Sequence, residues 1–211
     1  MAVATREKLV IPRLDFEEIV VEIKGVAPGI IADSPLSAVI VGAGGIKPVN
    51  EKDPMRQAER ARYKLETPRN GTTDGFPSAG IKAAMIAACG YGEGFVKTKT
   101  KGAFFMGATE DGLLPILDAE FQPRVDLVGN AAKSKSPKGR AFYPAPWRMM
   151  VPLRVFTTKA FSTQSAVHLL ALAGECVGIG CWRPVGGMGI GGWFGRFDLV
   201  AIHTPEEAAN V

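Results

Sequence analysis

Ser162-Thr-Gln-Ser-Ala-Val-His-Leu-Leu-Ala-Leu-Ala-Gly-Glu-Cys-Val-Gly178 runs directly into Ile179-Gly-Cys-Trp-Arg-Pro-Val-Gly-Gly-Met-Gly-Ile-Gly-Gly-Trp-Phe-Gly-Arg-Phe-Asp-Leu-Val200. The first part has helical periodicity. Ser162 or Thr163 can cap it, and Ala166, Leu169, Leu170, Ala173 and Val177 recur on one face. Gly178 falls where a left-handed residue ends a helix. The last part, Phe194 to Ile202, alternates as a strand, with Phe197, Leu199 and Ala201 on one side. Between them lie eight glycines in eighteen residues, with Arg183, Trp193 and Arg196 interleaved. A loop so poor in Cβ atoms lets a ligand backbone approach the main chain and exposes N–H groups to anions.

Gly187, Gly189 and Gly192 spell G-x-G-x-x-G, the dinucleotide fingerprint. That motif follows a strand and opens a helix whose N-terminus holds the pyrophosphate. Here a helix precedes and a strand follows, so the nucleotide-fold reading fails. A near miss at Gly42-Ala-Gly44-Gly45-Ile-Lys47 lacks the third glycine, and Pro48 disfavours a helix there.

With 211 residues the chain has room for one domain with insertions, or two small ones. A hydrophobic content of 46% and a charged content of 22% fit a globular protein. There is no apolar run of membrane-spanning length and no apolar signal core near the N-terminus, so a cytoplasmic protein is expected. Cys89, Cys176 and Cys181 show no metal spacing; Cys89 and Cys176 read as small buried hydrophobes. The net charge of +4 is mild, and its distribution says more. Arg56, Arg60, Arg62 and Lys64 form one cluster, Lys97, Lys99 and Lys101 a second, and Lys133, Lys135, Lys138 and Arg140 a third. Clustered cations beside glycine-rich, aromatic-flanked loops are an electrostatic footprint for nucleic acid.

Taken in order, residues 1–14 read as a tail or edge element. Asp15 to Val26 holds a strand with Ile19, Val21 and Ile23 on one face. Gly25 to Gly29 is a turn, and an irregular strand is expected over 37–41. Asp53-Pro54 opens a charged helix expected over 54–66, and Thr67 to Gly75 reads as loop. Phe76 to Gly90 is a helix capped by Asp74 or Ser78, with Ile81, Met85, Ile86 and Cys89 as its stripe. Residues 101–108 and 113–118 read as strands around the turn Glu110-Asp-Gly112. From Pro123 to Pro146 the chain is basic and weakly patterned, a long loop or extended hairpin, mobile or exposed without a partner. Trp147 to Thr158 is a strand in which Pro152 suggests an edge or bulge, and residues 205–211 form a polar tail. Without insertions near 42–75 and 119–147 this is strand, helix, strand, strand, helix, strand. The expected class is α+β: one ferredoxin-like (RRM-like) βαββαβ domain over 1–211, carrying inserted loops or a hairpin. The free sheet face and rim loops of such a fold are a common RNA platform.

Three passages resemble the RAMP superfamily, the RNA-binding proteins that build CRISPR effector complexes. Val20 to Ile31 is similar to the family's first strand and glycine-containing turn. Asp74-Gly-Phe-Pro-Ser-Ala-Gly-Ile-Lys-Ala-Ala-Met85 is similar to its first helix opening, with Ala79 replacing a serine and Ala83 a glycine. Gly186 to Leu199 is similar to its glycine-rich loop before the last strand. The resemblance implies phosphate contacts from Ser78 and Lys82 at the helix start, and from Gly187, Gly189, Gly191, Gly192 and Arg196 in the loop. Arg183, Lys133, Lys135, Lys138 and Arg140 extend this RNA-binding set. The 123–146 segment compares with the protruding hairpin of backbone subunits, and phage-borne relatives are among the homes the resemblance leaves open.

The implied function is a guide-RNA-binding backbone subunit that self-associates along RNA beside other effector subunits. It would face a complementary DNA or RNA target, without cofactor, metal or membrane. Two readings stand against it: a metal-independent endoribonuclease of the same superfamily, and a structural phage or interaction protein without nucleic acid. Catalytic candidates are weak. His168 lies mid-helix among core-spaced residues, His203 reads as a surface residue, and neither belongs to a visible triad. Asp33 stands roughly where some RAMP backbone subunits hold an aspartate for target cleavage; as a lone loop carboxylate it also reads as a turn residue.

Overall fold

The computed structural model describes residues 14–32, 52–67, 71–107, 110–129, 135–158, 160–185 and 191–209. It is a mixed α/β protein built on antiparallel sheets. β1 (Phe16–Gly25) occupies the centre, because Val21 and Ile23 are fully buried on one face. It pairs antiparallel with β9 (Arg148–Phe156) along its whole length, Val21 opposite Val151 and Ile23 opposite Met149. On its other side lies β10 (Phe197–His203), with a bulge between Glu22 and Ile23. The short β5 (Phe104–Met106) pairs with β9 and completes the sheet in the order β10-β1-β9-β5.

Two helices cover the face carrying Val21, Ile23, Met149, Val151 and Leu153. α2 (Ser78–Ala88) buries Ile81, Ala84, Met85 and Ala88. α4 (Thr163–Leu172) buries Ala166, Leu169 and Leu170 and continues into a π turn, Ala173–Val177. These residues form one core cluster, each large side chain contributing roughly 1.5–3 kcal/mol by leaving water. Ser162 caps α4 in a reciprocal box with Ser165, and Gly178 follows at φ +69°. α2 has no such cap: Pro77 occupies the cap position, and Asp74 instead accepts from Arg62 Nε at 3.0 and 3.1 Å.

The opposite sheet face is polar and aromatic. Arg148 Nη1 donates to Glu22 Oε1 at 2.8 Å, its Nε donates to Asp118, and His203 Nε2 lies 3.5 Å from Glu22. The Arg148 guanidinium holds the Glu22 carboxyl below its ordinary range. Arg154 stacks over the Phe16 ring at 4.3 Å.

Several segments depart from the sequence expectation. The helix expected over 54–66 stops early: α1 is Pro54–Arg60, capped by Asp53. Tyr63–Thr67 is β3 instead, its alternation putting Leu65 inside. The expected loop up to Gly75 contains β4 (Gly71–Pro77), which pairs with β3 and with β6 (Leu113–Pro115) in a second sheet. The strand expected from 101 starts three residues late. Lys97–Ala103 is α3, burying Thr100 and Ala103 at helical spacing while its lysines face solvent. Pro152 sits in a strand paired on both sides, not on an edge. Its carbonyl accepts from Gly107 N, so its missing N–H falls just beyond the end of short β5 and spares the β1 ladder.

The 123–146 segment is the hairpin alternative. β7 (Gln122–Gly129) and β8 (Lys135–Pro144) pair throughout, and β8 continues the sheet to β2 (Gly29–Ala32). Ala141 and Tyr143 are fully buried, and burial pushes the Tyr143 hydroxyl pKa up. The hairpin base is therefore core, which corrects the expectation of a detached segment. α1 lies against it, with Gln57 Oε1 accepting from Gly139 N at 2.8 Å. After β10, Pro205–Ala208 forms a short helix, α5, under a Thr204–Glu207 capping box. The strand expected over 37–41 lies outside the described residues. Among those described, no helix is long and apolar enough to cross a membrane.

One packing relation yields a direct test. A Cβ on Gly25 would overlap the indole of fully buried Trp147, whereas a Cβ on Gly102 in α3 meets nothing within 4 Å. Gly25→Ala should destabilise by about 1–3 kcal/mol. Gly102→Ala should be neutral or stabilise by up to about 1 kcal/mol. Urea titrations read both, and equal midpoints would contradict this packing.

Candidate functional site

The glycine-rich connection is built by its own main chain. Gly195 N donates to Gly29 O at 2.7 Å, Ile179 N to Gly195 O at 2.9 Å, and Cys181 N to Ile31 O at 2.8 Å. Farther along, Gly192 N donates to Arg183 O at 3.1 Å and Phe194 N to Trp182 O at 3.2 Å. These bonds lay residues 191–195 against 179–183, and both against β2. A Cβ on Gly192 would overlap the Trp182 carbonyl, and one on Gly191 would stand 2.9 Å from the Pro184 carbonyl. Glycine at these two positions thus has an intrachain reason, where the sequence alone suggests room for a ligand. Gly187 and Gly189 lie outside the described residues, as do Lys133 and Asp33.

The cations on this surface hold specific partners. Arg183 Nε donates to Val185 O at 2.7 Å and Nη1 to Gly180 O at 2.8 Å, so it braces the loop. Arg196 Nη2 donates to both Glu175 oxygens at 2.6 Å, which raises the guanidinium pKa further. A phosphate at Arg196 would compete with that carboxylate. On the hairpin, Arg140 is 7% exposed and donates through Nη1 to Asp126 Oδ2 at 3.1 Å, while Arg124 Nε donates to Asp126 Oδ1 at 2.9 Å. Arg140 is therefore a buried organiser of the hairpin. Lys135 is exposed at the start of β8, and Lys138 is half-buried opposite Asp126.

Hairpin and connection meet through rings and guanidinium groups. Arg124 lies over Phe194 at 4.8 Å and over Phe142 at 5.9 Å, and those two rings meet edge-on at 6.1 Å. Arg140 lies 5.8 Å from the Trp182 ring. Sequence reasoning misses Arg124, Trp182, Phe142 and Phe194 as members of a site. For Arg124 the available signal is the period-two pattern of 122–129, which alternates half-buried and exposed side chains.

The remaining candidates lie elsewhere. Ser78 is half-buried at the start of α2, its N–H donating to Gly112 O at 3.0 Å. Lys82 Nζ donates to Phe104 O at 3.1 Å and sits over the Phe104 and Phe105 rings, so it serves β5. His168 is exposed on α4, its ring edge-on to Phe95 at 5.9 Å. The 56–64 cluster is largely neutralised internally: Arg62 and Lys64 pair with Glu59, Arg62 also with Asp74, and Arg56 with Asp53. Cys89 is buried, and Cys176 and Cys181 are half-buried free thiols. No group of three or more metal-ligating side chains occurs among the described residues.

No protein-family model matches the sequence, and no curated protein does. Among solved structures, a chain in the cryo-EM structure of the type III-B Cmr-beta bound to cognate target RNA is similar. The TM-score is 0.44 and the identity 14%, over 89% of this chain and 60% of that one.

Gly192→Ala should destabilise the folded chain whether or not any ligand is present, by about 1–3 kcal/mol. The measurement is thermal unfolding of the free protein. A variant as stable as the parent would return this glycine to a ligand role.

Proposed function

We propose that this chain binds RNA through the phosphate backbone, as a RAMP-type guide-RNA subunit that repeats along the strand and presents it to a complementary target. The observation that most supports this is the convergence of two segments whose contacting residues stand roughly forty to seventy positions apart in sequence. The hairpin bearing Arg124, Lys135, Lys138 and Arg140 meets the connection bearing Trp182, Arg183 and Phe194 in a surface of stacked cations and rings. Asp126 is the acidic side chain paired with hairpin arginines there. Such a surface suits a polyanion with flat bases: cations hold phosphates without reading sequence, and pairing with a second strand supplies specificity.

The finer fold reading belongs to the same proposal. Sheet order β10-β1-β9-β5, with helices following the first and third of these strands in chain order, supports a ferredoxin-like unit. β2, α1, β3, β4 and the hairpin are then insertions into a single RAMP-like domain. Glycines that press the connection onto β2 support the loop resemblance in a modified form: they shape the surface, and the side chains and main-chain amides around it meet the RNA.

Filter binding across a salt series tests this. Several unrelated RNAs should bind with similar affinity and with a linear fall of log K against log salt. Lys135→Ala should flatten that slope by about 0.7, the share of a single phosphate on a single strand. RNA affinity that is absent, or indifferent to salt, would contradict the proposal.

A further inference from the structure

We propose that Trp182 and Trp193 form a stacking platform for unpaired nucleobases, an inference that rests on the RNA-binding reading. Trp193 is 74% exposed and Trp182 50%, whereas Trp147 is fully buried. Backbone bonds from Gly192 and Phe194 to Arg183 and Trp182 set Trp193 directly beside the Trp182–Arg183 main chain. The two indoles therefore come from adjacent backbone segments, and both reach solvent.

Trp182 is also held against its own preference. Its φ is +58°, a left-handed conformation that bulky side chains rarely adopt. Burial does not compensate for this, because half the side chain stays in solvent. What the conformation does achieve is presentation: it sets the indole against Arg140, which is itself almost fully buried. Among the described residues the buried Arg140 Nε has no hydrogen-bond partner, and the guanidinium is held by Asp126 on one side and lies beside the ring on the other. A cation supports the ring from within the fold while the rest of the side chain is open to solvent.

Charge selects the occupant. The side chains at these rings are Arg124 and Arg140, with Arg183 the next residue along from Trp182, against Asp126, a field that favours a polyanion over an apolar protein surface. Flat aromatic groups attached to a polyanion are nucleobases. They must be unpaired, because duplex bases are already stacked on each other. Any base offers a π face, so the platform would tolerate sequence.

The experiment compares an oligoadenylate of about twelve nucleotides with an abasic oligomer of equal length, using the full chain and intrinsic tryptophan fluorescence. The oligoadenylate should quench indole emission and bind more tightly. Trp193→Ala and Trp182→Leu should each weaken it roughly tenfold, with no change in salt slope, and Trp182→Phe should retain most of the affinity. Trp193 is so exposed that its removal leaves folding intact. Equal binding of both oligomers, or unaltered binding by the variants, would overturn the platform while leaving phosphate binding in place. Failure of the parent to bind either oligomer would overturn both readings. Indole emission that responds to protein concentration and not to RNA would overturn the platform in favour of a protein contact.

Discussion

The closeness of main chain to main chain between the glycine-rich connection and β2 governs this structure. Gly180 has no room for a Cβ because the Ile31 carbonyl is there, and Gly195 has none because of Ile179. Three hydrogen bonds among Gly29, Ile31, Ile179, Cys181 and Gly195 fill the space that side chains would have needed. Through β2 the connection is joined to β8, and through β10 to the central sheet. One set of absent methyl groups thus couples the four-stranded sheet to the hairpin sheet. Glycine's conformational freedom is also required: Gly178, Gly180 and Gly195 all have φ between +69° and +77°.

That coupling determines where charge ends up. Cations spread over the sequence sort into three kinds once folded. Arg62, Arg148 and Arg196 hold carboxylates, and Arg183 holds carbonyls. Arg124 and Arg140 lie beside rings and share Asp126. Exposed lysines on α3 and at the start of β8 remain in water. The second kind joins the hairpin to the glycine-rich connection in a fixed surface in which charge and aromatic area sit together. Counting basic residues therefore misjudges the 56–64 cluster, whose charge Asp53, Glu59 and Asp74 largely cancel, and undervalues Arg124.

Much of the central architecture was legible because its signals are local. Alternation over 16–25, 148–156 and 197–203 marks the sheet, and the Ser162 cap with Gly178 brackets α4. The errors fall where local signal is weak or divided. Residues 101–103 read as the start of a strand, yet they close α3, where Thr100 and Ala103 are buried three apart. Tyr63–Thr67 follows a capped helix with no breaker, and only pairing with β4 fixes it as a strand. The candidate surface was the least legible part. That Arg124 meets Phe194 depends on a meeting of segments seventy residues apart, which no periodicity encodes. Trp182 and Trp193 were visible as residues, but neither their exposure nor the left-handed backbone at 182 can be read from a string.

The most direct test of where RNA lies is photo-crosslinking of the full chain to a uniformly 4-thiouridine-substituted oligonucleotide, with the modified peptides mapped by mass spectrometry. Adducts are expected on 182–185, on 191–196 and on the hairpin strands 122–129 and 135–144. Adducts confined to the open sheet face, at Phe16, Phe105 and Arg154, would contradict this and move the binding surface to the other side of the central sheet.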